Sequence, residues 1–450
     1  MTHPAQQAVL AFLDAHPEID TFEALLPDLN GRLRGKWLSR DHLEQAFRGG
    51  LKLPLTTLGF DIWGRDPESW VFESGDADGI CFADAATLAP VPWMSATTGQ
   101  LLMSLRLPDG QPCGYDPRDL LRGIQERLLT LGFTPVVALE MEFYLFDAER
   151  DAFGRPTHSQ RAIDGGPAVG GQTYSMDQLE EVAPLMRAIR EACTAQQLPV
   201  DTLIAEAAPS QYEINLYHGS DALLAADHGL MLQRLIRGVA RQHGKLATFM
   251  AKPFGELAGN GMHVHCSLLD RQGNNVFDNG TEQGSELLSQ AIAGCLASMA
   301  DAMAIFAPNI NACRRFQLGS HAPLAASWGY ENRTVALRIP TGNTRDRRIE
   351  HRVAGADANP YLAVAAILAG MLYGIEQKLS PPPETEGDAY RQHGVDLPRY
   401  LPDSLQQLQQ SPFIGEYFGS EFKRVFLAAK EQELAEFDRR VTTLEYDAYL

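Results

Sequence analysis

Apolar and polar residues alternate over residues 136–146, VVALEMEFYLF, and this period of two is typical of a β-strand with one buried face. Glu140 and Glu142 project together from its polar face. Two ionised carboxylates at this spacing repel each other, and a divalent cation is the usual partner that compensates them. A half-solvated strand with two surface glutamates is the alternative interpretation. The predicted apolar face consists of Val137, Leu139, Met141, Phe143 and Leu145.

Two further stretches carry polar groups opposite an apolar face. In DTLIAEAAPSQYEINLY, Glu206 ends one apolar strand and Glu213 lies on the polar face of the next. Residues 262–268, MHVHCSL, place His263, His265 and Ser267 on one face. A single histidine in such a strand is most often structural. Two on one face, directly after the glycine-rich turn AGNG, favour a ligand-binding role.

Turn and capping signals divide the chain. The Asn30-Gly31 pair predicts a hairpin between two short strands, and Asp116-Pro117 predicts the start of a helix that ends near Leu131. We place a domain boundary just before this helix, which gives domains at 1–112 and 113–450. A long loop is predicted over 148–175, and helices over 5–16, 176–197, 221–243, 285–306 and 420–440.

An arginine-dense block follows inside an otherwise acidic chain. Within RRIEHR, the residues Arg348, Glu350 and Arg352 share one strand face. Planar guanidinium groups bind two oxygens at once, so this block suits phosphate or carboxylate ligands. A network of salt bridges with the glutamates is the alternative. The block contains Arg314, Arg315, Arg333, Arg338, Arg345, Arg347, Arg348 and Arg352.

Composition excludes several classes of function. The 450 residues are 45% hydrophobic and carry a formal charge of -19, which disfavours nucleic-acid and anionic-membrane partners. We found neither a basic and apolar leader nor a run of 18 apolar residues, so we expect a cytoplasmic protein. The six cysteines never form a C-x-x-C pair, which argues against the usual zinc and redox sites. Neither a P-loop nor a Rossmann glycine pattern is present.

Six stretches together resemble the class I glutamine synthetase superfamily in order and spacing. They are LEMEFYLFD, AEAAPSQYEINL, KLATFMAKPF, GNGMHVHCSL, NRTVALRIP and RRIEHRVAGADANPYL. The resemblance implies an α+β fold, with an N-terminal β-grasp domain and a catalytic domain built on a curved antiparallel sheet with flanking helices. It also implies a homo-dodecamer of two hexameric rings, with active sites between subunits.

The resemblance implies roles for individual residues. Glu142, Glu206 and Glu213 would hold one Mg²⁺ or Mn²⁺. Glu140, His263 and Glu350 would hold a second ion, which bridges the phosphates of the co-substrate ATP. The phosphate-contacting positions are Arg333, Arg338 and Arg348, the nucleotide-site positions are His265 and Ser267, and the glutamate-binding positions are Gly259, Arg315 and Arg352.

Departures from the family pattern concern the ammonium site. Asp61 and Asp78 match its aspartates, but the family's Asp-Gly-Ser-Ser reads Asp61-Ile62-Trp63-Gly64. The family's flap, Gly-Tyr-Glu-Ala-Pro, has His321 in place of the glutamate. The family's adenylylation motif is absent from the 380–400 linker. The implied catalytic residues are Asp61, Arg315, His321 and Arg333, and the implied amine-binding residues are Asp61, Trp63, Asp78 and His321.

These observations favour an ATP-dependent carbon–nitrogen ligase that acts on glutamate and an organic amine, either a polyamine or a monoamine. The reaction would pass through γ-glutamyl phosphate, which the amine then attacks. An ordinary glutamine synthetase that uses ammonium is the first alternative. A non-catalytic structural relative and a metal-dependent phosphotransferase without ligation are alternatives from other classes.

Overall fold

The computed structural model describes residues 3–152, 154–160, 165–166, 168 and 170–450. Helices and strands of these residues form an α+β fold, which confirms the predicted class. The strands are β1 Thr21–Pro27, β2 Leu33–Ser39, β3 Leu51–Pro54, β4 Asp78–Pro90, β5 Thr98–Arg106, β6 Thr134–Arg150, β7 Pro156–His158, β8 Val200–Ala205, β9 Gln211–Leu216, β10 Lys245–Thr248, β11 Met262–Leu269, β12 Trp328–Tyr330, β13 Leu337–Ile339 and β14 Ile349–His351.

The α-helices pack around two sheets. They are α1 His3–Ala15, α2 Leu43–Ala46, α3 Glu68–Ser74, α4 Pro117–Thr130, α5 Met176–Glu181, α6 Ala183–Ala195, α7 Ala222–Gln242, α8 Glu286–Met299, α9 Met303–Phe306, α10 Ile310–Cys313, α11 Pro360–Gln377, α12 Ala389–Gln392, α13 Leu401–Gln410, α14 Pro412–Tyr417, α15 Gly419–Asp438 and α16 Thr443–Tyr449. Short 3-10 turns cover Arg40–His42, Leu55–Gly59 and Thr344–Asp346.

The first sheet has the strand order β2-β1-β5-β4-β3. Strands β1 and β5 at its centre are parallel, while its other neighbouring strands are antiparallel. The predicted hairpin joins β1 to β2, and Gly31 takes a left-handed conformation (φ 66°) at its tip. Asp28 stabilises this turn, because its Oδ1 accepts hydrogen bonds from the backbone amides of Asn30 and Arg32.

The second sheet is built around β6. Its order is β12-β13-β14-β11-β6-β9-β8, and β7 and β10 also pair with β6. All its strand pairs are antiparallel except β12 with β13. The predicted alternation along β6 is confirmed. The buried side chains of the predicted apolar face are Val137, Leu139, Met141, Phe143 and Leu145.

The predicted helix after Asp116 is also confirmed, because the carboxylate of Asp116 accepts hydrogen bonds from the amides of Arg118 and Asp119 at the start of α4. The helix predicted over 176–197 is instead divided into α5 and α6. Pro184 lies in the first turn of α6, where its missing amide is tolerated, whereas the interior of a longer helix would lose a hydrogen bond there. The helix predicted over 285–306 is likewise interrupted, between α8 and α9.

Helix α11 is the apolar centre of the helical layer. By length and composition it is a candidate membrane span, but most of it is buried inside the protein, as in the core helix of a soluble fold. It packs closely on α8. A Cβ atom on Gly374 would lie 1.9 Å from the carbonyl oxygen of Gln290, so only glycine permits this approach of the two backbones.

A buried ion-pair network ties the first sheet to the helices behind the second. The guanidinium of Arg118 binds Asp227 of α7 at 2.7 Å and Asp84 of β4 at 3.0 Å. Asp227 also accepts a hydrogen bond of 2.6 Å from the hydroxyl of Tyr361 in α11. Because each buried charge has a charged or hydrogen-bonding partner, the network holds β4, α4, α7 and α11 in a defined arrangement.

Candidate active site

Four neighbouring strands bring acidic and imidazole side chains to one face of the second sheet. Antiparallel pairing places Glu142 of β6 opposite Glu213 of β9. On the other side of β6, Glu140 lies opposite His263 of β11. Because side chains alternate along each strand, opposed residues that face the same way become close neighbours.

Glu140 contacts both histidines of this face. Its Oε2 lies 3.2 Å from His263 Nδ1, and its Oε1 lies 2.8 Å from His265 Nε2. Arg348 Nε donates to His265 Nδ1 at 3.0 Å, so His265 carries its hydrogen on Nε2 and donates it to Glu140. Burial acts to raise the pKa of Glu140, but the hydrogen bonds from His263 and His265 outweigh burial and hold that pKa well below its usual range.

Glu350 lies next to Glu140, and its carboxylate forms ion pairs with two arginines. It pairs opposite His265 in the sheet, and its carboxylate binds Arg338 at 2.6 Å and also Arg352. Burial raises the pKa of Glu350, but the charges of Arg352 and the two histidines oppose burial, and the resulting pKa is about 2. Glu350 is therefore ionised throughout the physiological range.

The pKa values of Glu206 and Glu213 are shifted in the opposite direction from those of Glu140 and Glu350. Burial and then the negative charges of Glu140, Glu142 and Glu206 raise the pKa of Glu213 well above its usual value. Burial and the charge of Glu142 raise the pKa of Glu206 to about 7. Glu142 accepts a hydrogen bond of 2.7 Å from the amide of Gly261. This part of the face holds three carboxylates whose mutual repulsion the protein compensates only in part.

The donor atoms of this face suit a hard divalent cation, because carboxylate oxygens and an imidazole are preferred ligands of Mg²⁺ and Mn²⁺. Two sets of three residues have donor atoms within 4.8 Å of one another, and Glu140 belongs to both. They differ from the two predicted sets, because His265 appears in one, while Glu142 and Glu206 appear in neither. The first set is Glu140, His265 and Glu350, and the second is Glu140, Glu213 and His263.

Two cavities of about 460 Å³ each meet at Glu140 and Asn215. The first cavity contains His265, Ser267 and Arg348, three of the predicted nucleotide and phosphate residues. The second cavity contains the remaining predicted residues of the catalytic sheet and flap. They are Glu142, Glu206, Glu213, Gly259, His263, Arg315, His321, Arg333, Arg338, Glu350 and Arg352.

Arg315 is buried at the base of the second cavity. It donates a hydrogen bond of 3.0 Å to the carbonyl of Val353, and burial lowers its pKa against the opposing effect of Glu142. Gly259 makes room for it. A Cβ atom on Gly259 would lie 2.8 Å from Arg315 Cγ and 2.6 Å from the carbonyl of Ala251. A side chain at position 259 would therefore displace Arg315.

The rim of the second cavity is more exposed. Arg333 and His321 both lie there and are solvent-exposed. His321 takes a left-handed conformation (φ 59°), which is uncommon for a residue with a side chain and marks local backbone strain. Ser320 holds the preceding turn, since its hydroxyl donates to the carbonyls of Arg315 and Gln317.

The predicted residues of the first sheet lie outside both cavities of this chain. Asp61 is fully buried and accepts hydrogen bonds from the amides of Trp63 and Arg65, the guanidinium of Arg65 and the side chain of Gln432. Burial opposes them, but these bonds lower the pKa of Asp61. Trp63 packs against Phe437 of α15, with ring centroids 5.6 Å apart. Asp78 is exposed at the start of β4.

Sequence reasoning missed several residues of the second cavity, among them Asn215, Gln211 and Tyr174. Asn215 follows Glu213 by two positions on the same strand face, so the period of two was a usable signal. Gln211 Nε2 donates to the Gly259 carbonyl at 3.0 Å and thereby fixes that turn. Tyr174 has a left-handed backbone (φ 66°) and lies in a loop whose pattern gave no signal.

The chain is similar to known proteins over almost its whole length. A family model described as "Glutamine synthetase, catalytic domain" matches residues 114–449. The chain is 40% identical to a gamma-glutamylputrescine synthetase of Escherichia coli (strain K12), over 98% of this chain and 94% of the relative. It is 35% identical to a gamma-glutamylethanolamide synthetase of Streptomyces coelicolor, over 99% and 95% of the two chains. A solved structure described as a GmaS/ADP complex superposes with a TM-score of 0.85 at 26% identity, covering 98% of this chain and 99% of the other.

Proposed function

The chain belongs to the glutamine synthetase family, and from this premise we propose that it is an ATP-dependent ligase that joins glutamate to an organic amine. The observation that carries the proposal is the meeting of two cavities at Glu140, one lined by His265 and Arg348 and the other by buried Arg315 and Arg352. ATP occupies the first cavity and glutamate the second. The transferring phosphoryl group then lies at their junction.

Arginine side chains position the reactants. Arg348 in the first cavity and Arg338 and Arg333 in the second bind phosphate oxygens, because guanidinium groups neutralise a transferring phosphoryl group. Arg315 and Arg352 hold the glutamate. Glu350 fixes Arg338 and Arg352 by ion pairs and so orients both for these roles.

We assign the metal sites to the carboxylate face. Glu142, Glu206 and Glu213 would hold one Mg²⁺ or Mn²⁺, and Glu140, His263 and Glu350 a second. Bound metal supplies positive charge that offsets both the carboxylate repulsion and the charge of the ATP phosphates. Glu140 accepts a hydrogen bond from His265, and this bond orients the imidazole within the first cavity.

The reaction has two steps. A side-chain carboxylate oxygen of glutamate attacks the γ-phosphorus, and the bond to ADP breaks. The amine nitrogen then attacks the acyl carbon, phosphate leaves and the nitrogen loses a proton. His321 at the rim is the acceptor we assign to this proton, since an imidazole side chain can act as a general base.

We place the amine near His321, and we propose that Asp61, Trp63 and Asp78 contribute to an amine site of a neighbouring subunit. This assignment accounts for their position outside the cavities of their own chain. It requires an oligomer, which we propose to be a cytoplasmic homo-dodecamer, with domains at 1–112 and 113–450. The relatives named for putrescine and ethanolamine support an organic amine as the substrate.

An amine panel tests the proposal. Purified protein is incubated with ATP, glutamate, Mg²⁺ and either putrescine, spermidine, ethanolamine or ammonium, and both phosphate release and the mass of the amide product are measured. We expect a γ-glutamyl amide of an organic amine, with kcat/KM above that for ammonium. Equal turnover of ammonium would make the protein a glutamine synthetase. Phosphate release without any amide would make it a phosphotransferase.

A further inference from the structure

A third cavity, of about 610 Å³, lies away from the two cavities of the candidate active site. It is enclosed by the tip of the β1–β2 hairpin, helix α7, residues 308–314 and helix α15. We name it the Arg237 cavity. Its volume falls within the range of about 300–1,000 Å³ that small-molecule sites typically have.

The charge of this cavity is opposite to that of the chain. Arg32, Arg237, Arg314 and Lys430 line it, and Asp357 is its only acidic lining residue among the described part of the chain. Lys430 is neutralised, because its ammonium group binds Glu433 at 3.0 Å. The three arginines make no ion pair with any described carboxylate. In a protein of net charge -19, three such guanidinium groups around one cavity indicate an anion site.

The guanidinium group of Arg237 has no ion-pair partner among the described residues and only one long hydrogen bond. Its guanidinium carbon lies 4.8 Å from the ring centroid of Phe249, and its hydrogen bond to Gln233 Oε1 is long, at 3.4 Å. Burial, followed by repulsion from Arg32 and Arg241, lowers the pKa of Arg237 to about 10. Arg237 is half-buried, and a partly desolvated cation without an anionic partner is costly, so an anion within the cavity reduces that cost.

Asp357 does not supply this partner. Its Oδ2 accepts a hydrogen bond of 2.8 Å from Asn309, whereas its buried Oδ1 has no hydrogen-bond partner among the described residues. The carboxylate also interacts electrostatically with Arg315 of the second cavity. A Cβ atom added to Gly355 would lie 2.7 Å from Asp357 Oδ1 and 3.7 Å from Arg315 Nη1. Asp357 therefore forms the wall between the Arg237 cavity and Arg315.

We propose that the Arg237 cavity binds a small organic dianion, either a dicarboxylate or a phosphate monoester, through the guanidinium groups of Arg32, Arg237 and Arg314. Both kinds of ligand present paired oxygens that match the planar fork of arginine. The apolar side chains of Ile62 and Phe249 also line the cavity and suit the carbon skeleton of such a ligand.

The cavity is placed to influence glutamate binding, an effect that rests on the function proposed above. Asn309 binds Asp357 and also caps α10, since its Oδ1 accepts from the amide of Ala312. Helix α10 leads directly into Arg314 and Arg315. A dianion held by Arg314 is therefore expected to change the KM for glutamate more than kcat.

Binding is measured without turnover, so its failure is distinct from failure of the proposed ligase. The full-length protein is first saturated with Mg-ADP and glutamate to fill the first and second cavities. Succinate, glutarate and glycerol 3-phosphate are then titrated by calorimetry. We expect one dianion class to bind with one site per chain, and the ligand that binds identifies the class as dicarboxylate or phosphate monoester.

Variants locate the site. Arg237→Gln should weaken binding about tenfold or more, the usual effect of losing a charged hydrogen-bond donor. Arg314→Gln changes an exposed residue and should also weaken binding, which keeps the test valid if Arg237→Gln fails to fold. Arg241→Gln removes the same charge from the same helix at an exposed position outside the cavity, and should weaken binding far less than Arg237→Gln does.

Three results would overturn the proposal. One is that no dianion binds to the saturated protein, and another is that Arg237→Gln and Arg241→Gln bind equally well. The third concerns hydrogen exchange of residues 308–314. If these residues become more protected as the protein concentration rises, whether or not a ligand is present, a second copy of the chain covers the cavity.

Discussion

Two regions of this molecule hold buried carboxylates in opposite ways. Glu206 and Glu213 lie among other acids, and burial with mutual repulsion raises the pKa of each. Asp61 is fully buried, but four hydrogen bonds from Trp63, Arg65 and Gln432 lower its pKa. The protein compensates the negative charge of Asp61 fully and the charges of Glu206 and Glu213 only in part.

The difference separates carboxylates suited to bind a cation from a carboxylate whose charge its own chain already compensates. An uncompensated carboxylate costs stability, and a protein keeps it where a cation or substrate supplies the missing charge. A carboxylate whose oxygens all have partners already contributes to stability. Within this chain, Asp61 therefore stabilises the loop 60–66, while the carboxylate face of the second sheet is suited to bind a cation.

Glu213→Gln should have the largest effect and should separate activity from stability. Turnover should fall about a thousandfold, because a proposed metal ligand is lost. The metal-free protein should be at least as stable as the wild type, because the change removes a repelling carboxylate. Turnover assays and urea unfolding with chelator measure the two quantities. A variant with normal turnover, or one that unfolds readily, would contradict this account of the carboxylate face.

Asp61→Ala should show the reverse behaviour. It removes the four hydrogen bonds that Trp63, Arg65 and Gln432 donate to Asp61, so the free energy of unfolding should fall by about 3 kcal/mol. Affinity for Mg²⁺, measured by calorimetry, should not change. Asp78→Ala alters an exposed residue and serves as the control, with an expected change below about 0.5 kcal/mol. An Asp61→Ala protein as stable as this control would refute the structural role.

The two regions should also respond differently to pH. The folded pKa of Glu206, about 7, lies above its unfolded value near 4.5, so the folded state retains a proton that the unfolded state releases. The stability of the metal-free protein should therefore decrease between about pH 4.5 and pH 7, by up to about 1.4 kcal/mol per pH unit for each proton. Thermal melts with chelator measure this slope.

Mg²⁺ and the Glu206→Gln change should each reduce this slope. Asp61, whose pKa is lowered, contributes stability that is present above its unfolded pKa near 3.8 and is lost at more acidic pH. An identical slope with and without Mg²⁺ would show that no cation binds at the carboxylate face.

His321→Glu should have the smallest effect of the four. It adds a negative charge at the rim of the second cavity, which should attract ammonium more strongly than the imidazole does. The ratio of kcat/KM for the best organic amine to that for ammonium should narrow by about fivefold, an electrostatic effect of about 1 kcal/mol. Steady-state assays with both nucleophiles measure it, and His321→Gln is the neutral control. An unchanged ratio would remove His321 from the amine site.

Much of the fold was predictable because its signals are local. The alternation along β6 placed Glu140 and Glu142 on the polar face, since the period of two holds wherever a strand forms. The Asn30-Gly31 hairpin and the Asp116 cap follow from backbone preferences of a few adjacent residues. The six matching stretches indicated the family, which the comparisons confirm.

Contacts between distant segments were decided only by the tertiary structure. The grouping of Glu140 with His265 depends on the register of β11 against β6, and the binding of Asp61 by Gln432 joins positions 371 residues apart. The Arg237 cavity likewise forms only where a hairpin, α7 and α15 meet. Periodicity specifies the face that a side chain occupies, but its neighbours on that face depend on how separate elements pack, and no local pattern encodes that packing.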